Sequence, residues 1–356
     1  MRWAVALLML AALSAMERAI IDDPRLALDW LPDRPSQQAW RALFDPHAVW
    51  PERDVDLLAS AHGERLTTLW AARLWYRGEP WTRREHEPIN LRRWRVVDRA
   101  VRLAIIRDLR WRRDPRLVAV LLGFLQRESE DVGLVVNALA ALSLIDPPAG
   151  RQAALRLADP RRPDRLPAAG LPGARSAALA LALESGPLDE PLQAALSWAL
   201  LTADGGERIA ALGRLPRGAV PELCGAALQR LLEPAQRGAL RDEDLAAGVL
   251  ICARLEGPLG ERVLQALGTL AVAAPRELAC AAATALARVV SWRHAIDPQP
   301  LLERFQRDPD PSVRHALAAA LVRIAPDRLA SRREAAAWAV LAAHRLALQD
   351  WDWHRP

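Results

Sequence analysis

Between Arg92 and Arg116 the chain carries ten arginines against Asp98, Asp108 and Asp114, a local charge of +7 in a protein whose total is +5; the remainder therefore sums to −2. Read as a helix at about 100° per residue, Arg92, Arg95, Arg99, Arg102, Arg110 and Arg113 fall within a sector of roughly 80°. Trp94, Val97, Val101, Ala104 and Ile105 occupy the opposing side, and Ile106 interrupts the stripe. Asp108 falls on the apolar side, where it pairs with Arg112 at i+4 or marks a bend. Six guanidinium groups on one face can hold phosphates or carboxylates in bidentate fashion. Trp81 and Trp111 lie close enough in sequence to stack on bases. The competing account is a solvated helix face, neutralised by acidic groups of a neighbouring helix.

Elsewhere the reactive residue types are scattered. His47, His62, His86, His294, His315, His344 and His354 stand singly, and only His86-Glu87 forms a His-Glu dyad. No HExxH, Gly-rich phosphate loop or Gly-x-Ser-x-Gly elbow occurs. Cys224, Cys252 and Cys280 are spaced 28 residues apart in Ala/Leu-rich surroundings, without a CxxC or a histidine at ligand spacing. Such cysteines behave as small core residues. The expectation is a protein without a catalytic set, cofactor or metal.

The elements that must position the arginines are helical. Leu and Ala dominate, no long stretch alternates as a strand would, and lysine is absent. Arg, Ala, Leu, Pro and Trp all have GC-rich codons, so the arginine bias itself reads as genomic composition. Eight of the 14 tryptophans lie between Trp30 and Trp111, where they fill an irregular cap or form an aromatic ligand platform. Leu117–Asp146 reads as two helices around a polar turn at Glu128–Asp131, and Leu301–Asp327 repeats the arrangement. There Asp310 is the N-cap, Pro311 the first helical residue, and Pro326 the stop. Ala158–Ala174 is too rich in Pro and Gly for a helix and reads as a surface loop or a break.

A register recurs. From Val313, offsets of 3, 4, 7, 8 and 11 give Ala316, Leu317, Ala320, Leu321 and Ile324; Leu278, Leu134, Ala174 and Asp244 begin further copies. Their separations of 40, 70, 34 and 35 residues are one or two units of about 35. With "DPDPSVRHALAAALVRI" as its clearest copy, this pattern resembles the HEAT repeat, in the short form of phycobilin-lyase-type proteins. The resemblance implies an all-α fold of antiparallel helix pairs stacked into a curved solenoid, with Arg314 in the family's Val-Arg position and Asn137 in a repeat position. It covers roughly Leu117–Leu346.

The expected organisation is a secretory signal over residues 1–15, a Trp/Arg-rich helical cap over 16–116, repeats over 117–346 and a tail over 347–356. The apolar run after Arg2 spans roughly 20 Å as a helix, short of a bilayer core of about 30 Å, and Ala12-Leu13-Ser14 offers a small-x-small cleavage site. Export or a periplasmic address follows; a start at Met16 would leave the chain cytoplasmic. The leading function is a non-enzymatic scaffold holding a protein on its concave face, with an acidic protein or a membrane surface as the arginine partner. The alternative is nucleic-acid binding by a cytoplasmic protein, as in HEAT-like DNA glycosylases. Five or six phosphate contacts would then give a log K against log salt slope near about −5. A third reading, by analogy with the phycobilin lyases, is a lyase or enzyme accessory. HEAT-type deoxyhypusine hydroxylases need several His-Glu dyads, and this chain offers one.

Overall fold

The computed structural model describes residues 15–63, 65–81, 91–289 and 296–325. Among these residues every regular element is helical, and eighteen α-helices are present. The signal segment before Ala15, the His86-Glu87 dyad, Pro326 and the 347–356 tail lie outside them. No described helix is long and apolar enough to cross a membrane.

The chain divides into two compact units, 1–187 and 188–356. The first holds α1 (Ala15–Asp22), α2 (Ala27–Trp30), α3 (Arg34–Ala42), α4 (Pro51–Ala61), α5 (Leu66–Trp75), α6 (Leu91–Arg112), α7 (Val118–Leu125), α8 (Val132–Ile145), α9 (Pro147–Ala158) and α10 (Pro172–Glu184). In it α4, α6, α8 and α10 pack each on the next, with α5 and α7 beside them and α9 against α8 and α10. The Trp/Arg-rich segment and the first register copies thus share one unit.

The second unit holds α11 (Glu190–Leu201), α12 (Gly205–Arg214), α13 (Pro221–Gln236), α14 (Asp242–Arg254), α15 (Glu261–Ala273), α16 (Arg276–Val289), α17 (Gln299–Arg307) and α18 (Pro311–Ile324). The packing is regular: α12, α14, α16 and α18 form one row, α11, α13, α15 and α17 a second, and each helix of one row pairs with one of the other.

Aspartate opens element after element. The carboxylates of Asp33, Asp131, Asp146, Asp204 and Asp310 accept from the N–H of Ser36, Leu134, Ala149, Glu207 and Ser312 at 2.7–3.0 Å. Each satisfies a donor the helix leaves open and contributes about 1 kcal/mol. Proline follows in the first turn at Pro35, Pro147, Pro191 and Pro311, where its missing N–H costs nothing. Helix α10 begins after a loop that includes a 3-10 turn at Pro167–Gly170, as the Pro-rich stretch 158–174 requires.

The sequence register maps onto the packing. Its origins Leu134, Ala174, Asp244, Leu278 and Val313 each stand two residues after the start of α8, α10, α14, α16 or α18. The positions read from Leu278 and Val313 are mostly buried, among them Ala282, Ala285, Leu286, Leu317, Ala320 and Leu321. Within the 70-residue gap the same row carries α12. The residue two after its start is Glu207, 5% exposed; the offsets from it give Ala210, Ala211, Arg214, Leu215 and Gly218, and the charge at Arg214 and the helix end before Gly218 break the apolar pattern. Asn137 is exposed and donates from Nδ2 to the carbonyl of Gly133 in its own helix. Arg314 is half-buried, with its Nε lacking a hydrogen-bond partner.

Arginine links successive helices. Arg112 on α6 donates to the Ala59 carbonyl of α4 at 2.6 Å, Arg254 on α14 to Leu212 and Gly213 of α12, and Arg288 on α16 to Cys252 of α14. Arg304 on α17 reaches the carbonyls of Ala271, Val272 and Ala274 at the end of α15. These are the acceptors a helix end leaves open, and a guanidinium fork can serve two or more at once. At the opposite ends, Arg99 pairs with Asp131, Arg208 with Asp244 and Arg276 with Asp310, at 2.6–2.9 Å.

Candidate interaction face on the arginine-rich helix

Helix α6 is 22 residues long, against eight for α7 and fourteen for α8. Its neighbours therefore cover only part of it. Trp94, Val97, Val101, Ala104, Ile105 and Leu109 are buried, as the amphipathic reading requires. Ile106, which interrupts the arginine stripe, is buried as well.

The six arginines do not form a continuous face. Arg102 is 4% exposed and enclosed: it contacts Asp98 at 2.9 Å and Glu128 at 3.2 Å and donates to the Tyr76 carbonyl at 2.8 Å. Burial pushes its guanidinium down to about 10, against the counter-pull of Asp98. Arg99 is exposed, but its Nε is held by Asp131, the N-cap of α8. Arg92, Arg95, Arg110 and Arg113 are exposed and have no charge partner among the described residues. The stripe surfaces at both ends of α6 and passes beneath the α7–α8 turn in the middle. Periodicity could not show this, because Glu128 and Asp131 come from another hairpin.

Arg102 belongs to a buried charge network. Fully buried Arg73 lies 2.7 Å from Asp98 and donates to the Leu43 carbonyl at 2.9 Å; Asp98 is thus shared between Arg73 and Arg102. Glu128 is shared between Arg102 and half-exposed Arg77, and also accepts from the N–H groups of Glu130 and Asp131. The Nη1 of Arg73 has no hydrogen-bond partner. Its guanidinium carbon sits 4.8 Å from the Phe44 ring centre and 5.4 Å from that of Trp94, where cation–π attraction takes over.

The aromatic candidates separate too. Trp81 is half-buried, stacked on Phe44 at 3.9 Å and 10°, so that ring face is occupied. Trp111 is 79% exposed. Trp40, Trp70, Trp75 and Trp94 are core residues, and three of them direct their indole N–H to the Pro24 carbonyl, Asp108 and the Val120 carbonyl. Asp108 also receives Arg112 as a paired group, and α6 continues past it to Arg112. Two features escaped the sequence reading: the exposed Val49–Trp50 pair, each 70% exposed, and the buried contact of His62 Nε2 with Ser36 Oγ at 2.7 Å. In the latter Ser36 Oγ is also bound to Asp33, and the carboxylate stands on the serine side of the imidazole. That arrangement caps α3 and does not orient a nucleophile.

The three cysteines are free and buried, with thiols pushed up to about 11, 12 and 11 by burial. No group of three or more metal-ligating side chains occurs among the described residues. No known family, curated protein or solved structure matches the chain.

Proposed function

We propose that the protein is a HEAT-type α-solenoid scaffold that binds another protein and catalyses no reaction. The observation that carries this reading is the common register of α8, α10, α14, α16 and α18, each aligned two residues from its start and packed in rows within its own unit. Repeats that contact only their neighbours leave a long face uncovered, the usual basis for holding a partner. Fold does not name that partner.

The nucleic-acid alternative loses two of its six cations, Arg99 to Asp131 and Arg102 to Asp98 and Glu128, and one of its two stacking rings to Phe44. Four free arginines would give a duplex-DNA salt slope of about −4. Export remains part of the proposal on the strength of the apolar run Trp3–Leu13 alone. The test is to isolate the native complex from its source cells and to titrate the purified chain with duplex DNA across salt. A protein recovered at fixed stoichiometry, with no salt-dependent DNA binding, supports the scaffold. A slope near −4 with co-purifying nucleic acid refutes it.

A further inference from the structure

We infer that the corner that α4 and α6 make around the Glu52–Arg107 pair is a docking site for an acidic linear segment of a partner protein, one that carries an apolar side chain beside its carboxylates. The inference rests on the scaffold reading and adds the place and the chemistry. Three large apolar side chains stand out from this corner: Trp111 at 79% exposure, and Val49 and Trp50 at 70% each. A single exposed apolar residue is ordinary, but a group of them is not. They belong to one surface because Glu52 pairs with Arg107 at 3.1 Å. Trp50 is two residues before Glu52, and Trp111 is one helical turn after Arg107. The indoles therefore flank that ion pair.

Beside Trp111 stand Arg110 and Arg113, both exposed and without a carboxylate partner among the described residues. Every other arginine of this turn is engaged: Arg107 with Glu52, Arg112 with Asp108 and the Ala59 carbonyl, and Arg116 with Asp114. Two guanidinium groups with no charge partner among the described residues, an open indole beside them and a second across the Glu52–Arg107 pair are the residue types that dominate binding energy at protein interfaces.

The same corner argues against two other anionic partners. Glu52, 64% exposed, lies within the patch, and Asp114, 26% exposed, follows Arg113. A phosphate backbone would run against both carboxylates. A bilayer would strip water from the Glu52–Arg107 pair as the indoles inserted. A peptide can place its acids on Arg110 and Arg113, its apolar side chain between the indoles, and its N–H groups against Glu52.

The test is selection of short random peptides displayed on phage against the full chain, followed by affinity measurement with one synthetic peptide from the enriched set. The comparison proteins are the Trp111→Ala single variant and the Arg110→Glu, Trp111→Ala, Arg113→Glu triple variant. All three side chains are exposed, so both variants keep the native melting temperature. The expected result is an enriched motif of acidic residues beside an apolar one, with affinity weakened at least about tenfold by the triple variant and measurably by Trp111→Ala. Peptides that bind native and triple-variant protein alike overturn the docking site and leave the scaffold standing. Failure to enrich any acidic-apolar motif also overturns the docking site, while the native complex still tests the scaffold. Tighter binding of a single-stranded oligonucleotide or of phosphatidylserine vesicles, lost in the triple variant, overturns the partner class.

Discussion

Replacing Glu128 by Gln tests the buried charge network directly. Glu128 is 3% exposed and stands opposite Arg102, itself 4% exposed. Arg102 then keeps only Asp98 as a counter-charge, one that already serves fully buried Arg73, so the enclosed set passes from two cations and two anions to two cations and one anion. Removing one partner of a buried pair costs about 3–5 kcal/mol. A glutamine still offers an acceptor to the N–H groups of Glu130 and Asp131, which places the expected loss near about 3 kcal/mol. For a unit of this size that is a fall in Tm of about 6–12 °C. The assay is thermal unfolding of the full chain followed by circular dichroism, with hydrogen exchange to show that lost protection falls within residues 1–187. Glu52→Gln is the control: its pair with Arg107 is exposed on both sides, and the expected change is within about 0.5 kcal/mol. A loss below about 1 kcal/mol for Glu128→Gln would mean that Arg102 reaches water or another anion, and the reasoning would fail.

Burial holds His62 below its ordinary value of 6.5, outweighing the pull of Asp33. The unfolded chain therefore takes up a proton first, and stability falls as the pH drops below about 6.5; His62→Gln should flatten that limb of a urea-midpoint profile, and an unchanged profile would exclude His62 as its origin. Arg304→Lys removes the guanidinium that joins three carbonyls at the end of α15 through Nη1 to Asp308 through Nε and should cost about 1–2 kcal/mol by urea denaturation, whereas an unchanged midpoint would mean water serves those carbonyls equally well. The three buried thiols should resist a thiol reagent at pH 8 in the native protein and react fully in denaturant; prompt native labelling would contradict their burial.

Local chemistry made much of the fold legible. Asp310 and Pro311 mark a helix start because an Asp cap and a first-turn proline act on their own backbone, and the turn at Glu128–Asp131 is polar in its own sequence. The apolar offsets of Leu278 and Val313 recur between α16 and α18 because the same face is buried in both. Legibility ended where a distant partner decides the outcome. Arg99 and Arg102 share an azimuth with Arg92 and Arg95, and only the α7–α8 turn, some 30 residues on, makes them structural. Helix α12 drops out of the register because Arg214 and Gly218 stand where α16 and α18 carry apolar residues. The arginine content, read from codons as a compositional bias, has a job that composition does not display: it joins one helix to the next.

That joining has a direction. The carbonyls at the end of α4 wait for Arg112, those of α12 for Arg254 and those of α14 for Arg288, each supplied by a later stretch of chain. During synthesis from the N-terminus, a finished helix keeps its last acceptors open to water until its successor emerges and docks. Within each unit assembly is thus a relay in which completion runs one step behind translation. A chain cut between two such helices loses the second and leaves the first uncapped, so damage travels upstream by one helix of the row.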